Sequence, residues 1–188
     1  MQEVSRKKRA VSLQNTLDGG EKLHRLFEER ELTAVCAGET IRIRTDRLYS
    51  RTHTWVKKQG DNLKFGVTDY VLKMLKERIS LIETNKNLTI GSEVAEGEHL
   101  GTIYSMPYAN LKDMRWECRV FRLTAPCSGK IVMINVKAIE NPEIVNDDPY
   151  GEGWILKLKK NNAIEGLITP ERYKKLIEVS SSPLFETL

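Results

Sequence analysis

Read from the N-terminus, the apolar positions first fall at helical spacing and then switch to the alternation of strands. Leu23, Leu26, Phe27 and Leu32, with Glu and Arg between them, predict a short amphipathic helix over residues 21–32, after the Gly19-Gly20 break. Thr40-Ile41-Arg42-Ile43-Arg44 then alternates with a period of two, as a half-buried strand does. From Leu48 onward short strand-like runs recur at Trp55-Val56, 63–67, 78–82, 101–105, 116–123, 129–135 and 154–158, separated by Gly, Asn, Asp and Pro. Runs this short, with turn chemistry between them, predict a mostly β fold: a small sandwich or barrel-like hybrid of antiparallel strands. Two helices interrupt the pattern. Val71, Leu72 and Leu75 share one side of a short helix opening at Asp69, with Thr68 as its cap. Thr169-Pro170-Glu171 supplies a cap residue, a proline at the first helical position and an acid in the first turn of a C-terminal helix.

Composition narrows the function classes. With 188 residues and 40% hydrophobic content, one ordinary domain with appendages is expected. No apolar run of about 18 residues occurs, so no membrane span is expected. The basic start Arg6-Lys7-Lys8-Arg9 lacks an apolar stretch behind it, which argues against a secretory signal. An organellar transit peptide through about Leu17 is disfavoured by the acids at Asp18 and Glu21, leaving a cytoplasmic protein as the expectation and a mitochondrial one as the alternative. The net charge of +4 is spread in mixed signs, a solubility property rather than the one-sided basic face that nucleic acid demands. Cys36, Cys118 and Cys127 show neither zinc spacing nor an even count, and read as reduced thiols. His24, His53 and His99 sit in no metal spacing, and His53 reads as a structural or surface histidine. Asp147-Asp148 is turn chemistry before Pro149 rather than a catalytic pair, and neither a nucleophile beside a base nor a phosphate-cradling loop is found. A catalyst is not expected.

Several strings together carry a family resemblance. Leu48-Tyr49-Ser50-Arg51-Thr52-His53-Thr54-Trp55-Val56, Phe65-Gly66-Val67-Thr68-Asp69-Tyr70, the G-x-x-V-x-x-G-E turn from Gly91 to Glu98 and Thr124-Ala125-Pro126-Cys127-Ser128-Gly129 come first. The longest is Pro142-Glu143-Ile144-Val145-Asn146-Asp147-Asp148-Pro149-Tyr150-Gly151-Glu152-Gly153-Trp154, and Leu167-Ile168-Thr169-Pro170-Glu171-Arg172-Tyr173 closes the set. They resemble the H protein of the glycine cleavage system, a non-catalytic carrier that holds lipoate on a lysine. Leu75-Lys76-Glu77 stands where the family shows L-G-D. The resemblance implies a lipoyl-carrier fold over residues 48–178, an extension over 1–47 and a tail over 179–188. It also implies partners among glycine cleavage or lipoate-handling enzymes.

The resemblance fails at one place. The family's E-S-V-K-A aligns with Tyr104-Ser105-Met106-Pro107-Tyr108, so Pro107, which has no amine, occupies the lipoyl-lysine position. Ser105 to Lys112 is seven steps and Lys112 to Ala125 thirteen, against two and about seven in the family. Extra residues in near-equal number on both sides are what a lengthened hairpin produces, with 110–113 at its turn and Lys112 as the attachment residue. About five added residues at about 3.3 Å each move that amine about 16 Å outward. The other reading is a hairpin that carries no lipoate and binds a partner through Met106, Pro107, Tyr108, Leu111, Met114 and Trp116. Both stay open on sequence alone.

Overall fold

The computed structural model describes residues 31–160, 166–179 and 186–187. The helix expected over 21–32 lies outside them except at its end, and there Glu31 and Leu32 begin a strand instead. That strand, β1 (Glu31–Cys36), pairs along its full length with β2 (Glu39–Arg44) around the Ala37-Gly38 turn. The register places Ala34 opposite Ile41 and Leu32 opposite Ile43, so one apolar face is shared across the hairpin.

Two antiparallel sheets follow. The larger has six strands in the order β3-β4-β5-β13-β12-β7, formed by β3 (Leu48–Tyr49), β4 (Thr54–Gln59), β5 (Asn62–Val67), β7 (Glu93–Val94), β12 (Gly129–Ile134) and β13 (Leu156–Lys160). The smaller has the order β14-β11-β8-β6, from β6 (Ile79–Thr84), β8 (His99–Ser105), β11 (Arg119–Thr124) and β14 (Glu186–Thr187). Inward residues of both sheets meet in one core: Val56, Phe65, Leu156 and Leu158 from the larger, Ile82, Ile103, Phe121 and Leu123 from the smaller. Helix α1 (Asp69–Met74) and the residue after it add Val71 and Leu75 to the same core. The fold is thus the mostly β sandwich of short antiparallel strands that the alternation predicts. Where the backbone of β8 crosses β6, only glycine fits, because a Cβ on Gly101 would lie 2.3 Å from the Glu83 carbonyl.

The outer face of the six-stranded sheet is covered at one end by a second cluster. Tyr49 and Trp55, paired across β3 and β4, pack there with Ala34, Ile41, Ile43, Tyr70 and, from helix α4 (Pro170–Val179), Tyr173 and Ile177. Tyr49 and Tyr173 stack at 4.3 Å, and the Trp55 indole donates to the Pro149 carbonyl at 3.0 Å. The Arg47 guanidinium lies 4.6 Å over the same indole.

Local details depart from the sequence reading in three places. The run 116–123 is two strands, β10 (Arg115–Glu117) and β11, because Cys118 interrupts the pairing. The Asn-Pro and Asp-Pro segment, read as turns, contains two one-turn helices, α2 (Val136–Glu140) and α3 (Glu143–Asp147). Asn135 Oδ1 caps the first by accepting from Ala138 N–H at 3.4 Å. Thr68 precedes α1 as expected, but its hydroxyl makes no cap; it donates to the His53 carbonyl at 3.1 Å. Asp147 turns out to Arg78, whereas the Asp148 carboxylate accepts from the Gly151 and Glu152 N–H groups, so the two acids point apart.

Candidate functional site

Beyond Ser105 and Arg119 the β8–β11 ladder stops and a second, smaller ladder begins. Strand β9 (Tyr108–Asn110) pairs antiparallel with β10, Asn110 opposite Arg115, Ala109 opposite Trp116 and Tyr108 opposite Glu117, and residues 111–114 close the turn. Its root is fixed by polar bonds. Met106 N–H donates to the Arg78 carbonyl at 2.7 Å, and Ser105 Oγ accepts from Arg119 N–H at 2.9 Å. The Arg119 guanidinium in turn donates to the Met74 carbonyl at 2.6 Å.

The two faces of this hairpin differ. One carries a hydrogen-bonded cluster centred on Glu117, whose carboxylate accepts from Asn110 (2.7 Å), Arg115 (2.8 Å) and the Tyr108 hydroxyl (3.2 Å). Those donors, Asn110 foremost and then Arg115, hold its carboxyl below the usual glutamate range. The Lys76 ammonium sits 5.0 Å over the Tyr108 ring, tying this face to the end of α1. Lys76 adopts φ 67°, at the position where the family pattern has its glycine. At φ 67° Lys76 carries the left-handed cost of any residue with a Cβ, set against its contact with the Tyr108 ring.

The opposite face and the tip are apolar and open. Trp116 is 74% exposed, Leu111 80% and Met114 85%, with Met106 at 43% by the root. Met114 has φ 50°, a conformation in which a side chain costs about 1 kcal/mol or more. Pro107 is exposed at the junction of β8 and β9. Of the six residues expected to bind a partner, five are thus exposed on the hairpin or at its root. Tyr108 is half-buried and, directly opposite Glu117, belongs to the polar face.

Lys112 is at the tip. Its N–H donates to Asn110 Oδ1 at 3.1 Å, which fixes the turn, while the side chain is exposed and, among the described residues, in no ion pair. It is the one lysine between Lys86 and Lys130. A group joined through an amide needs a primary amine; Lys112 has one and Pro107 does not. Among the described residues no cluster of three or more His, Cys, Asp or Glu could hold a metal ion, and no helix is long and apolar enough to cross a membrane.

The model of the glycine cleavage H-protein family matches residues 47–180. The chain belongs to that family. It is 38% identical over 135 residues to the glycine cleavage system H protein of Carboxydothermus hydrogenoformans, covering 71% of this chain and 92% of that one. It is 41% identical over 138 residues to the probable glycine cleavage system H protein 1 of Saccharolobus solfataricus, covering 71% and 90%. The crystal structure of an H protein from Mycobacterium marinum superposes with a TM-score of 0.55 at 27% identity, over 70% of this chain and 95% of that one. H proteins are carriers rather than catalysts, and their cofactor is covalently held lipoate.

Proposed function

We propose that this chain works as a lipoyl carrier of glycine cleavage or another lipoate-linked system in the cytoplasm, with Lys112 as its attachment residue. The observation behind this reading is the position of Lys112: an exposed amine that, among the described residues, has no charged partner and is held by a hydrogen-bonded turn at the end of the β9–β10 hairpin. Lipoate on that amine would supply a dithiolane able to take up and release a group passed between enzymes. The protein's own part is to hold the amine clear of the body and to keep the hairpin in one conformation, through Glu117 and its donors on one face and the Arg119 and Met106 bonds at the root. The test is intact-mass measurement of the protein from its native source with lipoate available. One lipoyl increment, lost in Lys112→Arg, is the expected result. No increment, or one that survives Lys112→Arg, refutes the assignment.

A second reading is favoured by Met114. A left-handed backbone and 85% exposure are both costs that the isolated fold does not recover, and Leu111 and Trp116 add to the open apolar surface. On this reading the hairpin is an unmodified docking element. An unmodified native mass, together with loss of a co-purifying glycine cleavage enzyme in Trp116→Ser, would favour it over the first.

A further inference from the structure

Among the described residues, the outer face of the six-stranded sheet is covered at its Tyr49 and Trp55 end. Beyond that cover, strand pairing gathers lysines that are far apart in the chain. Lys57 is directly opposite Lys64 across β4 and β5, and Lys64 is directly opposite Lys157 across β5 and β13. Two residues along β13, on the same side, Lys159 is opposite Lys130 of β12. Five ammonium groups therefore share one sheet face.

Such a row costs stability, because like charges placed directly opposite across strands repel. The half-buried Lys64 shows the strain: its ammonium is pushed below the usual lysine range, first by burial and then by Lys157, Arg47 and Lys57, against the pull of Glu152. Among the described residues compensation is incomplete, although Glu93 is directly opposite Lys130 across β7 and β12. Asp46 meets Lys57 at 2.5 Å but also holds Arg47 at 2.8 Å. Among the described residues Lys64, Lys157, Lys159 and Lys130 have no ion pair. A solvent-facing sheet surface can be built from threonine, serine and mixed charges without this penalty, so the row points to an anionic partner outside the chain.

The aromatic residue beside the row identifies the kind of partner. Lys157 and Lys64 lie 5.0 and 5.5 Å over the half-buried Trp154 ring. These ammonium groups occupy the ring's approach, so it offers no platform for a nucleic-acid base. What remains is an array of compact point charges at strand spacing, suited to carboxylates. We propose that this lysine face docks an acidic protein surface, one that presents clustered Asp and Glu side chains. The face belongs to the sheet opposite β8 and β11 in the sandwich, so a partner held there leaves the hairpin and Lys112 accessible. The inference does not depend on whether Lys112 is modified.

The test uses the full chain and two labelled probes of matched charge, an oligoglutamate peptide and an oligo-dT strand, followed by fluorescence anisotropy from about 20 to about 200 mM salt. The peptide is expected to bind at low salt and to weaken as salt rises. Lys64→Gln with Lys157→Gln should weaken it about tenfold, whereas Lys86→Gln with Lys174→Gln, outside the face, should not. The proposal is overturned by absence of peptide binding at low salt, by equal loss in the control pair, or by tighter binding of oligo-dT.

Discussion

His53 makes the stability of this chain depend on mild acid. The residue is 2% exposed, adopts φ 59° and stacks on Tyr70 at 4.1 Å. Thr68 gives its proton to the His53 carbonyl, so the Tyr173 hydroxyl donates to Thr68 Oγ1 (2.9 Å) and accepts from His53 Nδ1–H (2.9 Å). Protonation must then occur at Nε2, which has no partner among the described residues, and burial lowers the imidazole to about 4. A histidine in the unfolded chain titrates near 6.5, so the unfolded state takes up the proton first and stability falls as pH drops below about 6.5. At about 1.4 kcal/mol per pH unit the loss is about 2 kcal/mol at pH 5 and levels off near about 3 kcal/mol below pH 4. That is a large share of a typical domain's about 5–15 kcal/mol. Asp46, which Arg47 and Lys57 hold at about 2 despite its burial, loses its contribution only at lower pH, so the two windows separate. Urea unfolding followed by tryptophan fluorescence between about pH 7 and about pH 4.5 measures the slope. His53→Asn, which tolerates the left-handed backbone, should start about 1–3 kcal/mol less stable at pH 7 through loss of the Tyr173 bond, yet show a flatter profile. A parent with no slope in this range, or a variant with the same slope, refutes the reasoning.

Two further outcomes concern the hairpin. Met114→Gly should raise stability by about 1 kcal/mol by relieving φ 50°, measured by urea unfolding; a destabilised variant would show that Met114 is held by packing instead. Glu117→Ala removes the shared acceptor of Asn110, Arg115 and Tyr108, so limited trypsin digestion should cut after Lys112 or Arg115 several-fold faster, and an unchanged rate would show that the backbone ladder alone holds the tip.

What the sequence discloses depends on how local its cause is. Ile41 and Ile43, spaced by two, are both fully buried, and Pro170 opens its helix, because alternation and capping are decided within a few residues. The hairpin beyond Ser105 was legible from residue counts on its two sides, but its turn lies at 111–114 rather than 110–113, because Asn110 pairs with Arg115 in the ladder. The break at Cys118 was not legible, since period-two alternation continues through a point where a strand changes partners. Nor could sequence show that Tyr108 leaves the apolar group of Trp116 and Met114, because the face is set by its partner Glu117. The lysine row was the least legible feature. Lys57, Lys64, Lys130, Lys157 and Lys159 look like scattered solubilising charges in a chain of net +4 until sheet pairing aligns them.

The junction at Ser105 separates two properties that usually constrain each other. Below it, Val120 stays opposite Tyr104 and Phe121 opposite Ile103, so the core-facing side chains of β8 and β11 keep their places whatever lies above. Residues added or removed above the junction in facing pairs turn no core side chain to solvent, and each added pair lifts the tip by about 3.3 Å. Reach is therefore an adjustable dimension of this fold, and the distance from its body to the hairpin tip can change in small steps that the folded sandwich does not register.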